Sequence, residues 1–503
     1  MLIRSTPIKL KPFAHQVKAM NAALDRFEAG GRGFALLMEM GTQKSCTSIL
    51  IAANLFLNHL INKVIVVAPL SILPVWENEF LKFADFKYQV TVLKGTLPKK
   101  RLQLVYSQCN KDGTPIGTDT LQVIVVNYES SWRLLPELIG YGAQMMIVDE
   151  SQKIKESRTN QSKGVIKLGD RTRYKLILTG TLLSKEQDVY GQYRFVDPTI
   201  FGDSFFRFRN AYFDLGGYEN HQMFFKESKR DEFLKKLHSI AFRVTKEECL
   251  DLPEFTEEER VVELEPEAMK IYNTIKRDSY IELSGGNNSI DGNAKEVTAT
   301  NCLTKSLRLS QIAGGYLTDD DKGIKQVSTA KLEALSDIVD SVLYDDKKLV
   351  IMARFIPEMD DIENLLHFKK IKYAVIRGGV KDRDEQVRMF QEDPDCKVFV
   401  GQIAAAGLGI TLTASSTMVF YSLDYSSSNY EQAKARIHRS GQTQKCHYIY
   451  LIAKNTIDKK VIKALRDKID LAKMLIDDYR NGLNPFESNE DTDKQTEEEN
   501  IHE

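Results

Sequence analysis

A run of short apolar segments, each followed by a helical pattern, constrains this chain more than any other feature. Residues 33–38, 63–68, 89–93, 121–127, 144–149 and 173–178 are apolar or β-branched stretches of strand length. Several lack alternation between apolar and polar positions, as strands covered on both faces do. Such strands alternating with helices predict a parallel sheet with crossover helices. The rhythm returns at 348–353, 372–376, 397–401, 417–421 and 446–452. Two α/β lobes are expected.

Between them, residues 201–330 lose the strand pattern and read as a helical insert and linker, with helices over 265–283 and 299–312. A Gly, Asn and Ser rich stretch at 284–295 reads as a loop. At roughly 100 to 200 residues per domain, 503 residues suggest about three globular units. The expected division is lobe 1 over 1–200, the insert over 201–330, lobe 2 over 331–480 and a disordered acidic tail over 481–503. Hydrophobic residues at 42 % and charged residues at 28 % exclude collagenous and wholly disordered classes. No repeat of 20 to 50 residues is apparent, which excludes solenoids and propellers.

The net charge of −1 conceals segregation. Residues 484–503 hold eight acidic residues and one lysine, net −7, so residues 1–483 carry +6. A mildly basic body with an acidic appendage suits a polyanion partner and leaves the tail to dock on a basic protein, compete with nucleic acid or aid solubility. The six cysteines are scattered, with no C-x-x-C pair, and read as reduced, packed thiols. No stretch reaches the roughly 18 apolar residues of a membrane span, and residues 1–13 lack an apolar signal core. A soluble, cytoplasmic and monomeric protein without a membrane partner is expected, in the host cytoplasm if the chain is viral.

The chemistry begins after the first strand. Gly41-Thr42-Gln43-Lys44-Ser45 joins a strand to a helix, the arrangement in which backbone N–H groups and a helix N-terminus cradle phosphates, Lys reaches the β/γ oxygens and Ser ligates Mg²⁺. A generic strand-to-helix turn has the same outline. The fifth strand ends in Asp149-Glu150-Ser151-Gln152, where one carboxylate can hold Mg²⁺ through water and the next can orient the attacking water. A solvated strand-end pair is the alternative, and the phosphate loop weighs against it. Thr179-Gly180-Thr181 offers hydroxyls to the acidic pair. Gln16, ahead of a helix, is placed to read an adenine edge. In the second lobe, residues 402–413 form a small-residue turn, and Gln432, Arg436 and Arg439 fall at i, i+4 and i+7, on one face of an expected helix. Two arginines facing a triphosphate would act as fingers.

Together with Leu178-Thr179-Gly180-Thr181 and Gly407-Leu408-Gly409-Ile410, and above all the ending Arg436-Ile437-His438-Arg439-Ser440-Gly441-Gln442, these motifs resemble the Swi/Snf-like branch of the superfamily-two helicases and translocases. The likeness runs over about residues 9–465 and is strongest to short forms from bacteria and their viruses. It implies two RecA-like lobes with ATP between them and movement along double-stranded DNA. Gln16, Gly41, Thr42, Gln43, Lys44, Ser45, Gly409 and Gln432 would contact nucleotide, with Ser45 and Asp149 holding Mg²⁺. Lys44 would grip phosphates, Glu150 would activate water, and Arg436 and Arg439 would complete the site. Nucleic acid would meet Ser71, Asn127, Tyr128, Lys153, Lys155, Arg354, Gly378, Gly379 and Gln402.

The chain departs from that family at four places. Gln43 replaces a glycine and its side chain must point away from nucleotide; Gln152 replaces the commoner histidine; Leu182-Leu183-Ser184 is atypical; and Gln402-Ile403-Ala404 lacks the expected hydroxyl and basic residues. Three functions are in view: a duplex-DNA translocase that remodels bound proteins or branched DNA, a strand-separating helicase on DNA or RNA, and a nucleotide-gated binding protein with a weakened ATPase. No wedge-like hairpin is identifiable from the sequence.

Overall fold

The computed structural model describes residues 2–486 apart from 111, 181–184, 217–221, 250–251, 284–298, 319–322, 381, 407–408 and 482. The chain divides into two compact units, Met1–Asp251 and Leu252–Glu503, where length alone suggested about three.

In the first unit β1 (Gly33–Met38), β2 (Lys63–Ala68), β3 (Tyr88–Val92), β4 (Leu121–Asn127), β5 (Met145–Asp149) and β6 (Tyr174–Thr179) match the expected strands to within a residue. A separate antiparallel hairpin follows, β7 (Phe213–Gly216) with β8 (Gln222–Phe225), and then β9 (Ala241–Val244). The sheet runs β3-β4-β2-β5-β6-β1-β9 with every ladder parallel. The inner strands β1, β4, β5 and β6 are buried along their whole length because both faces are covered, whereas the edge strands β3 and β9 are only partly buried. Leu36, Val66 and Ile147 pack into one core layer, while their neighbours Leu37, Val67 and Val148 enter the other.

The second unit repeats the plan with β10 (Phe255–Val262), a small antiparallel pair β11 (Tyr316–Thr318) and β12 (Ile324–Gln326), then β13 (Leu349–Ala353), β14 (Lys372–Ile376), β15 (Cys396–Gln402), β16 (Thr417–Phe420) and β17 (Cys446–Ala453). The six-stranded sheet is ordered β10-β17-β16-β13-β15-β14, again all parallel. Val350 and Met352 face one core, Ile351 and Ala353 the other. Each unit is therefore a RecA-like lobe, a parallel sheet with helices on both faces.

Residues 201–330 are not a separate insert. β9 completes the first sheet beside β1, β10 forms an edge of the second beside β17, and the helices Pro266–Leu283 and Ala299–Ala313 belong to the second unit. β9 and β10 escaped the sequence reading because β9 is short and β10 is charged and largely exposed. An aromatic cluster supports the hairpin, with Phe233 5.1 Å from Phe201 and 5.2 Å from Phe225. The expected loop at 284–295 lies outside the described residues. Part of the expected disordered tail is held: Phe486 is buried, and Lys460 Nζ donates to Asp478 at 2.6 Å and to the Pro485 carbonyl at 3.1 Å. Residues 487–503 lie outside the described residues. Among the described residues no helix is long and apolar enough to cross a membrane.

In a parallel sheet all carboxyl ends lie on one edge, where ligands gather. The ends of β1, β2, β4, β5 and β6 bring residues 39–45, 69–76, 127–128, 149–152 and 179–180 to that edge.

Candidate nucleotide site

Five residues turn the chain from β1 into the helix α2 (Lys44–Leu57), after the first helix α1 (Ala14–Glu28). Gly41 (φ 89°) and Gln43 (φ 61°) both sit in the left-handed region. A side chain there costs about 1–2 kcal/mol, and the bonds around Gln43 offset it. Its carbonyl accepts from the Thr47 amide at 3.1 Å, the Thr47 hydroxyl at 3.2 Å and Gln16 Nε2 at 3.5 Å. Glutamine thus stands where the conformation favours glycine, and the loop still forms. Lys44 and Ser45 open α2 at its amino-terminal end, the end of a helix whose amides favour phosphate.

Two further elements brace this loop. The Glu39 amide donates to the Val244 carbonyl at 3.0 Å and its carboxylate accepts from the Lys246 amide at 2.7 Å, so β9 pins the loop's start. From α1, His15 Nε2 lies 3.1 Å from the Thr42 carbonyl, and burial holds the imidazole below its ordinary pKa. Gln16 differs from expectation. It is buried, its Oε1 accepts from the Phe13 amide at 2.8 Å, and its Nε2 reaches Gln43. Its amide braces the loop from inside rather than presenting an edge to adenine.

The acidic pair closes the site. Asp149 Oδ2 accepts from the Trp76 indole at 3.1 Å, and Oδ1 from the Glu150 amide at 3.0 Å. Burial first, then the charge of Glu150, pushes the Asp149 carboxyl above the ordinary range, while the Lys44 charge pulls it down. Glu150 is itself left-handed (φ 52°), a strained position of the kind found at functional sites. Its carboxylate accepts from Gln152 Nε2 at 2.7 Å, and Gln152 Oε1 accepts from the Thr179 hydroxyl at 3.1 Å. In place of the expected bond from a hydroxyl to the acidic pair, Thr179 reaches Glu150 through Gln152. Thr181 and Leu182–Ser184 lie outside the described residues.

In the second unit the helix Ser427–Lys434 stops before the arginines. Gln432, Arg436 and Arg439 therefore do not share one helix face. The turn that follows gathers the two arginines differently: Arg436 and Arg439 both donate to the Ile410 carbonyl, at 3.0 and 3.1 Å. Gly409 (φ 76°) sets that carbonyl's approach. Gln432 is buried, its carbonyl accepting from Arg436 Nε at 2.8 Å. Gln442 staples the turn, donating to the Ser415 carbonyl at 2.8 Å and accepting from the Thr443 and Gln444 amides at 3.0 Å each.

Residues 15–313 match the SNF2-related domain and residues 330–441 the helicase conserved C-terminal domain. The chain belongs to the SNF2-related family. It is 25 % identical over 466 residues to an uncharacterized ATP-dependent helicase of Mycoplasma pneumoniae, covering 91 % of this chain and 41 % of that protein. Over 479 residues it is 25 % identical to human chromodomain-helicase-DNA-binding protein 7, covering 88 % of this chain and 15 % of that protein. The chain thus spans less than half the length of either relative. Among solved structures, the Sulfolobus solfataricus SWI2/SNF2 ATPase core in complex with dsDNA aligns over 93 % of each chain at 22 % identity, with a TM-score of 0.43.

The residues expected from the sequence to meet nucleic acid divide sharply. Tyr128 is fully buried, and its hydroxyl donates to the carbonyls of Asp149 at 2.6 Å and Glu150 at 3.2 Å. Asn127 is buried too, accepting from Lys100 Nζ at 2.9 Å and donating to Glu129. Neither side chain faces a track. Lys153 is exposed, Ser71 half-buried, and Lys155 pairs with Asp188 at 3.2 Å while staying exposed. In the second unit Gln402 Oε1 accepts from the Gly378 amide at 3.0 Å and its Nε2 donates to the Arg354 carbonyl at 3.4 Å, so these three expected residues converge beside exposed Gly379. The Arg354 guanidinium lies 3.8 Å from the Tyr425 ring centre rather than standing free. Sequence reasoning missed Trp76, Tyr128 as a brace, and Gln442. A buried indole or phenol must find a partner for its polar atom, and that was the available signal.

Proposed function

We propose that this chain hydrolyses ATP to move along double-stranded DNA and to remodel protein–DNA complexes or branched DNA. The observation that supports it best is the Thr179–Gln152–Glu150 hydrogen-bond chain beside the Lys44 loop, which orients a carboxylate that could take a proton from an attacking water. In this reading Lys44 and the α2 amino terminus hold the phosphates. A hydroxyl at Ser45 and a carboxylate at Asp149 are the hard oxygen donors Mg²⁺ takes alongside phosphate oxygens, and the ion would neutralise charge on the phosphates. Glu150 accepts the proton of the attacking water. Arg436 and Arg439 stabilise the γ-phosphate oxygens in the transition state, with Gln432 and Gly409 beside them.

The test is the ATPase rate with duplex DNA, single-stranded DNA, RNA or no nucleic acid, in the parent and in Lys44→Ala. Stimulation chiefly by duplex, abolished in Lys44→Ala, is expected. Equal stimulation by RNA or by single strands overturns the duplex reading. One observation keeps strand separation as a second reading: the β7–β8 pair stands outside the parallel sheet with Phe224 exposed, and an exposed aromatic on such a hairpin could serve as a wedge between strands. Unwinding of a forked duplex that is lost on deleting the hairpin would favour it over translocation alone.

A further inference from the structure

The acidic pair is held by two buried side chains, and each is carried by a segment that also contains a residue expected to meet nucleic acid. Trp76 lies in the first turn of α3 (Leu73–Phe83), five residues after Ser71. Its indole is 1 % exposed and donates to the Asp149 carboxylate at 3.1 Å. Tyr128 directly follows Asn127 at the end of β4, is 1 % exposed, and its hydroxyl bridges the carbonyls of Asp149 and Glu150. β2, which feeds α3, lies between β4 and β5 in the sheet. The two donors therefore come from the strand next to β5 and the strand beyond it, and meet at the same two residues. One fixes the carboxylate and the other fixes the left-handed backbone of Glu150.

We infer that Trp76 and Tyr128 are positioning residues through which nucleic acid bound at the Ser71 and Asn127 segments sets the geometry of Asp149 and Glu150, and so stimulates hydrolysis. The inference rests on the nucleic-acid-driven ATPase proposed above. Its physical basis is short reach: neither link needs more than a turn and a half of helix between the segment and the acid it holds. A shift of either segment moves a hydrogen-bond donor that has no freedom to rotate away, because both rings are enclosed in the cores on either face of the sheet. Coupling of this kind is established by a two-state response, not by proximity.

Tyr128→Phe removes one oxygen and keeps the ring, and Trp76→Phe removes the indole N–H. For each, the ratio of DNA-stimulated to basal ATPase should fall about tenfold, with DNA affinity within twofold of the parent. In a cycle with both changes the losses should be less than multiplicative, since both act on one pair. Equal loss of basal and stimulated rates, or no loss, overturns the inference while leaving the proposed activity standing. A parent that no nucleic acid stimulates removes the activity and the inference together. An independent readout needs no substitution at either residue. The chain has two tryptophans, so in Trp132→Phe the fluorescence reports Trp76 alone. Duplex DNA added without nucleotide should shift that emission, and unchanged emission at saturating DNA overturns the coupling.

Discussion

The two halves of the proposed catalytic apparatus are held in different ways. In the first unit the acidic pair is fixed by side chains remote in sequence: Trp76 and Tyr128 reach it from other strands, and Thr179 reaches it through Gln152. In the second unit the arginines are gathered by main chain, both guanidiniums donating to one carbonyl, that of Ile410. The difference teaches that the carboxylates depend on which side chains surround them, whereas the arginines depend on the path of a turn. Substitutions should therefore act by different routes in the two places.

The largest effect should come from the arginines themselves. Arg439→Ala should lower turnover by about 10³ to 10⁵ if it is a finger; a near-normal steady-state rate removes that role. Next, Glu150→Gln should cost roughly 10² to 10⁴, the usual weight of a general base, with nucleotide binding retained by equilibrium titration. Gln152→Ala separates fixing the acid from being the acid. Losing a hydrogen bond to a charged group is worth about 1.5–3 kcal/mol, so turnover should fall about 10- to 100-fold. A loss as large as that of Glu150→Gln would show that Gln152 does more than orient.

In the second unit the matching probe is backbone rather than side chain. Gly409→Ala forces a Cβ into a left-handed turn at a cost of about 1–2 kcal/mol, displacing the Ile410 carbonyl. Turnover should drop about five- to tenfold, while the fold survives by circular dichroism. An unchanged rate would show that the arginines do not depend on that turn. The smallest effect is on stability. Burial pushes the Glu358 carboxyl up to about 7, against bonds from Ser422 and the Arg354 and Phe355 amides that pull it down. The folded state thus holds a proton that the unfolded chain releases near its ordinary pKa of about 4.5. Stability falls as pH rises between roughly 4.5 and 7 and levels off above, by linkage. Glu358→Gln should flatten that part of the melting-temperature profile for the second unit; an unaltered slope would place the proton elsewhere.

Most of the sheet was legible because its inner strands are buried on both faces, so runs such as 63–68 and 121–127, apolar but for Lys63, Gln122 and Asn127, marked it. β10 was not, since a charged strand paired on one edge has no apolar signature and shows itself only beside β17. At the candidate nucleotide site, the loop before Lys44 and Ser45 and the strand end at Asp149 formed as expected because both are local features. That the side chains of Asn127 and Tyr128 turn inward was not legible for the opposite reason: a polar residue at a strand's end can face solvent or turn beneath its neighbour, and only packing chooses. The helix through Arg436 and Arg439 was overextended, because spacing of three and four fits a helix but does not show where it stops.

By itself the sequence determined two parallel-sheet lobes, the loop that turns into α2 and the acidic pair at the end of β5, since each depends on residues a few positions apart. Only the tertiary structure decided that Trp76 and Tyr128 hold the acids, that Gln152 joins Thr179 to Glu150, and that β9 secures Glu39. Those contacts span strands distant along the chain, and a buried polar atom takes whatever partner the packed sheet brings within reach.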